Sequence, residues 1–248
     1  MNLYERYING EKKLIFREIQ NMGVQAFEEN NFIEIDKILK HFFKTVRTNL
    51  NIIFSELNQQ NYLFKKEYKC NSDKPFCAPL SNVNELLLQL DEAVKPFGHV
   101  PLSLKYFYKI VGSVNFTWDY ESDENIRWEL SDPIQIISLD DLVEIVSTND
   151  WQEEIQEYVN DKEFGNAFLE LSADYYHKDN ISGGAAYSVQ ITKEKTVDSL
   201  FLNEPNQTSF LNYLRINLNT CGFSRTPFSN NKEFQSFINS VKPKLQAI

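Results

Sequence analysis

The sequence predicts an α+β fold, a largely antiparallel sheet flanked by helices, preceded by a helical N-terminal extension. Three observations predict it. Apolar residues recur at helical spacing through the first eighty residues. Beyond them, short strand-like runs interleave with amphipathic helices without the βαβ rhythm of a parallel sheet. Between the two regions lies the polar, proline-containing "KEYKCNSDKPFCAP", which reads as a linker and places a boundary near residue 80. The expected organisation is residues 1–80 as a helical extension that the rest can partly spare, and residues 81–248 as the α+β domain.

The helices are justified first. Ile35, Ile38, Leu39, Phe42, Phe43, Val46, Leu50, Ile53 and Leu57 recur at three- and four-residue steps, one broad apolar stripe on a long helix. A shorter helix is expected over 11–29. "SNVNELLLQLDEAV" sets Asn82 and Glu85 in capping-box spacing ahead of Leu86, Leu87, Leu90 and Val94. In "HVPLSLKYFYKIVGSVNF", Pro101 suits a helix N-terminus, where its missing N–H has no intrahelical partner to lose. Leu104, Phe107, Tyr108 and Val111 then share a helix face, and Gly112 supplies the left-handed residue that ends the helix.

Strands and further helices follow. "SVNFTW" and "PIQIIS" have strand propensity, and Ser138 is placed to cap "LDDLVEIV" with Asp140 and Asp141 in its first turn. "NAFLELS" and "AAYSVQI" read as strands bracketing the polar loop "ADYYHKDNISGG", and "DSLFLN" as another. Thr208 is expected to cap "SFLNYLRINLNTCG", which Gly222 ends, and "NKEFQSFINSVKPKL" is a last amphipathic helix.

Composition bounds the function. The 248-residue chain is 42% hydrophobic and 14% aromatic, with eight glycines and eight prolines, as befits an ordinary folded protein. Its three cysteines, Cys70, Cys77 and Cys221, match neither a disulfide framework nor a zinc pattern, so reduced thiols in a cytoplasmic protein are expected. The charged start "MNLYERYINGEKKLIF" lacks a signal-peptide core, and no run has the ~18 apolar residues of a membrane span, so no membrane partner is expected.

Net charge is −10 but uneven. Residues 1–80 carry 12 Lys+Arg and 10 Asp+Glu, whereas residues 119–163 carry 15 acids against only Arg127 and Lys162. A nucleic-acid partner is therefore not expected, since phosphate binding needs a basic footprint. The acidic run is either a solvated surface or a docking face for a basic partner.

No catalytic motif stands out. His41 falls in the apolar periodicity of a helix and reads as a packed side chain, and His99 as a loop residue. His177 has Asp174, Asp179 and Ser182 nearby, and Gly183–Gly184 could form an anion-binding nest; turn chemistry explains the same residues. A pocket enzyme centred on His177 is kept as an alternative, but the expectation is no catalytic residue, no cofactor and no metal.

The unit of Pro101, Leu104, the pair Phe107–Tyr108 and Gly112 is followed by "VNF", "DPIQIISLDDLVEIV", "SGGAAYSV" and "SFLNYL". In that order, over about residues 82–225, the chain resembles the SUKH superfamily, the domain named for yeast cell-wall-assembly regulators and abundant in bacteria as toxin-immunity proteins. Val111 stands where members usually carry asparagine, and "HKDNISGG" is longer than the corresponding turn. The resemblance implies an α+β fold and a binding role: an immunity protein neutralising a basic toxin nuclease or deaminase domain by direct contact, or an intracellular scaffold or regulator. With it, Trp118, Asp119, Tyr120, Glu121, Asp123, Glu124 and Trp128 become the expected partner-binding residues. They interleave aromatic anchors with charge, and Trp128, between Arg127 and Glu129, is the ring expected to be most exposed.

Overall fold

The structure, a computed structural model, describes residues 1–66, 74–161, 165–227 and 231–248. In chain order its helices are α1 (Leu3–Ile8), α2 (Lys12–Met22), α3 (Glu29–Gln59), α4 (Val83–Val94), α5 (Leu102–Ile110), α6 (Leu139–Val146), α7 (Asn149–Asn160), α8 (Phe210–Asn219) and α9 (Lys232–Val241). The strands are β1 (Phe76–Cys77), β2 (Ser113–Asn115), β3 (Gln135–Ile136), β4 (Phe168–Ser172), β5 (Tyr187–Gln190) and β6 (Phe201–Leu202). The chain is thus α+β with a helical N-terminal region, as the periodicities predict.

The strands form two three-stranded antiparallel sheets, β1-β2-β3 and β4-β5-β6. In the first, Val114 pairs with both Phe76 and Ile136; in the second, Val189 pairs with Leu169 and Phe201. Ile137 N donates to Leu171 O at 2.9 Å and ties one sheet to the other. Alternation in "FLELS" turns Leu169 and Leu171 into the core and leaves Phe168 and Glu170 on the opposite face.

The stripe on α3 is the centre of the core. All nine of its expected apolar residues, Ile35 to Leu57, are fully buried. The helix packs against α5, α8 and α9, with the Phe43 and Phe107 rings meeting edge to face 6.4 Å apart. Burying one such side chain stabilises a fold by about 1.5–3 kcal/mol.

Position 80 falls between β1 and α4, and buried residues on both sides of it share this core. The expected linker contributes a sheet strand, because Phe76 and Cys77 pair with β2; residues 67–73 of it, with Cys70, lie outside the described residues. Residues 81–248 expressed alone would lack β1 and the whole buried face of α3. The expected result is an insoluble or molten fragment, detected as dye binding and non-cooperative urea unfolding. A single cooperative transition would show that the remainder sustains its own core.

Gly112 does more than end α5. Its φ is +104°, and a Cβ there would stand 2.1 Å from Cys77 O. Only glycine lets β1 pass this closely over the end of α5. Elsewhere the caps differ in part from expectation. The Ser138 side chain accepts from Asp141 N, as predicted, but Asn82 makes no side-chain cap bond. α8 starts one residue later than the sequence suggests, at Phe210 with Ser209 in the cap position, and the Asp198 carboxylate accepts from Leu211 N where a cap side chain would. Thr208 instead accepts from Asn212 Nδ2 at 2.7 Å.

The end of the chain lies along α3. The buried Asn49 side chain donates to Gln246 O at 2.9 Å and accepts from Gln246 N at 2.8 Å. Lys244 pairs with Glu56 at 2.7 Å.

Candidate protein-binding face

The loop after β2 holds the residues that the sequence nominates, and it is tightly built. Tyr62 donates to Phe116 O at 2.9 Å, and Phe64 bridges Trp118 in antiparallel fashion, so the chain beyond α3 runs beside this loop. Trp118 is buried, with its Nε1 donating to Asp123 O at 2.9 Å. Asp119 accepts from Ser122 Oγ at 2.6 Å, and Asp123 accepts from Asn125 N at 2.9 Å; both carboxylates shape turns. Tyr120 is half-buried against Lys65, whose Nζ donates to its hydroxyl at 2.9 Å. Glu121 and Glu124 are exposed.

Trp128 corrects the expectation. It is only 2% exposed, packed among Tyr62, Phe223, Phe234 and Phe237 with ring centroids 4.8–5.6 Å away. Its charged neighbours misled because a turn imposes no regular alternation. Glu129 is exposed, half-buried Arg127 pairs with Glu233 while its guanidinium stands 5.1 Å from the indole centroid, and the indole goes in. Neither Trp118 nor Trp128 is therefore an exposed aromatic anchor.

The acidic segment presents a different binding geometry farther along. Thr148 caps α7 by accepting from Trp151 N at 3.2 Å, which turns that helix against α6. Between α6, α7 and β4 lies an open cavity of about 220 Å³. Its floor is apolar: Leu142, Ile145, Trp151, Ile155 and Phe168. Its rim carries Asp150, Glu154 and Glu170. Burial, and then the nearby Glu154 charge, hold the Glu170 carboxyl above its usual value. No ion pair to any of the three acids exists among the described residues. Exposed Glu144, Glu153 and Glu157 extend the negative field along α6 and α7. An apolar floor under unpaired carboxylates suits a lysine or arginine, whose stem lies on the floor while its head meets the acids.

Sequence reasoning placed the right charge here but missed the groove. Glu170 is remote from α7 in sequence, and the available signal was the two-residue alternation that sets Phe168 and Glu170 on one face.

The His177 loop is organised by buried charge. Lys178 and Asp132 form an ion pair of 2.6 Å with both side chains wholly shielded from solvent. Tyr187 donates to Asp132 at 3.2 Å, and Ser224 Oγ donates to the same carboxylate. Asp179 accepts from Leu130 N; burial, then the Glu129 and Asp132 charges, push its carboxyl up to about 6 against the pull of that N–H. His177 Nδ1 meets the buried Asp174 carboxylate while the ring itself is half in solvent. Among the described residues no hydroxyl or thiol hydrogen-bonds its Nε2. The alternative of an anion-binding nest at Gly183–Gly184 meets Asp174, whose Oδ1 lies 2.5 Å from where a Gly184 Cβ would stand, and an acid there repels an anion.

Among the described residues no cluster of three or more His, Cys, Asp or Glu is arranged to hold a metal ion, and no helix is long and apolar enough to cross a membrane. Cys221 is a buried free thiol. Compared with models of known families, with curated proteins and with solved structures, the chain gives no match.

Proposed function

We propose that this chain is a binding protein that captures a basic protein partner on the α6–α7–β4 face, in the manner of a SUKH-type immunity protein acting in the cytoplasm on a toxin nuclease or deaminase domain. The observation that carries this reading is the groove in which Asp150, Glu154 and Glu170 stand unpaired over an apolar floor. Burial first, and then the neighbouring Glu154 charge, hold the Glu170 carboxyl above its usual value. A partner's lysine or arginine removes the repulsion on docking, and the surrounding acids accelerate encounter. Blocking a nuclease this way also covers the basic footprint that its own substrate needs.

The test is titration calorimetry and stopped-flow binding against a panel of basic nuclease and deaminase toxin domains with inactivated catalytic residues. At least one is expected to bind, with association faster at low salt. Glu154→Lys is exposed and leaves the core untouched, and is expected to slow that association about tenfold or more. A folded Glu154→Lys protein with unchanged affinity and salt dependence, or a panel in which no domain binds, would overturn the proposal.

A further inference from the structure

On the other side of the acidic character of this protein, a second cavity of about 220 Å³ lies between α2 and the start of α8. Its charge is the reverse of the first. Lys13, Arg17 and Arg215 line it, together with Ser209, Asn212 and Asp198. None of the three cations forms an ion pair among the described residues, in a chain whose net charge is −10 and where Arg6, Lys105, Arg127, Lys178 and Lys244 are all paired.

Arg215 makes the arrangement more than a basic patch. Its Nε is shielded from solvent and has no hydrogen-bond acceptor among the described residues. Burial also pulls its guanidinium below its ordinary pKa. A buried charged donor left without an acceptor is costly, and the same side chain lines the cavity. Lys12 adds to the field: burial first, then the Arg215 charge, lowers its pKa, so the two cations feel one another. The amino end of α8 lies at the same wall through Ser209 and Asn212, but its first N–H groups are already engaged, Leu211 N by the Asp198 carboxylate and Phe210 N by Ser199 O. The single acid present, Asp198, is already engaged by Ser103 Oγ at 2.9 Å and by Leu211 N at 3.3 Å, so its charge is spread over donors.

We propose that this cavity binds a small phosphate-bearing metabolite, with Arg215 at its base and Lys13 and Arg17 closing over the phosphate from α2. Three cations match a dianionic phosphate better than a single carboxylate. The volume leaves room for a small polar body beside the phosphate, for which Asn212 and Ser209 offer hydrogen-bonding groups. Because the ligand would touch both α2 and α8, it would also tie the N-terminal helices to the rest of the molecule. This site is separate from the α6–α7–β4 groove, and the two readings stand or fall independently.

The experiment uses the full chain, with inorganic phosphate and ribose 5-phosphate as probes and sodium chloride at matched ionic strength as the control, read by calorimetry and by thermal unfolding. At least one probe is expected to bind and raise the unfolding midpoint by mass action. Arg215→Gln is expected to weaken that binding tenfold or more. Arg17→Gln, an exposed substitution that keeps the fold, provides the reading should Arg215→Gln fold poorly, and is expected to weaken it severalfold. No binding of either probe at millimolar concentration, or binding that Arg17→Gln and any folded Arg215→Gln leave unchanged, would overturn the assignment.

Discussion

Lys178→Met is expected to lower stability by about 3–5 kcal/mol, because it strands the Asp132 carboxylate without its cation in a site closed to water. Tyr187 and Ser224 still donate to that carboxylate, but neither carries charge. The effect should appear in urea unfolding as a lower midpoint with an unchanged slope, the mark of lost native-state stability. The double variant Asp132→Asn with Lys178→Met separates the pair from its parts. Asn tolerates the left-handed backbone that Asp132 adopts, φ +56°, and keeps acceptors for the two hydroxyls. Most of the lost stability is therefore expected to return, since removing both charges of a buried pair is often nearly neutral. If the double variant were as unstable as Lys178→Met, the damage would come from the lysine's packing over the Tyr187 ring, 4.6 Å away, and not from the stranded charge.

Trp128→Ala is expected to cost a similar amount, about 3–5 kcal/mol, through the cavity it leaves. The indole touches rings from the segment after α3, from the turn after α8 and from α9, so its loss loosens three parts of the chain together. Trp128→Phe is the control. It keeps most of the apolar volume and removes an Nε1 that is buried without an acceptor, so a much smaller loss is expected. Equilibrium unfolding followed by circular dichroism reads both. A Trp128→Ala protein as stable as the parent would return this ring to the surface, where the sequence alone would put it.

The helices were legible because their signals are local. The α3 stripe, the Pro101-to-Gly112 unit and the Ser138 cap each depend on residues within a few positions of one another, and each is found where the spacing sets it. Asn82 has the same local signature and fails as a cap, because the backbone there, φ −99° and ψ 21°, is not the extended form that points a side chain back at the helix. The sheets were legible as strands and not as two separate ladders, since pairing is decided by distant partners. The pairing of β1 with β2 hangs on a glycine thirty-odd residues away.

Candidate sites were legible as charge and not as geometry. The acidic run is visible in the sequence, but the groove within it needs Glu170 from another strand. Lys13 and Arg17 one helical turn apart would read as a solvated face, and the hint lay instead in Arg215, an arginine amid the apolar positions of "YLRINL". The exposure of Trp128 was misread for a related reason: flanking charges describe where neighbours go in a regular strand or helix, and this segment is a turn.

The two hydrogen bonds between Asn49 and Gln246 set an order on how the molecule can be made. During synthesis α3 leaves the ribosome early, when only α1, α2 and the turn before it are there to cover part of its buried face. Its amide side chain at residue 49 gains these partners only after residue 246 has emerged. The helices that cover the rest of the α3 stripe, α5, α8 and α9, all emerge before it, so this latch is the last to close. A bulky fusion placed directly after residue 248 would press on the same latch, so a purification tag there calls for a flexible spacer.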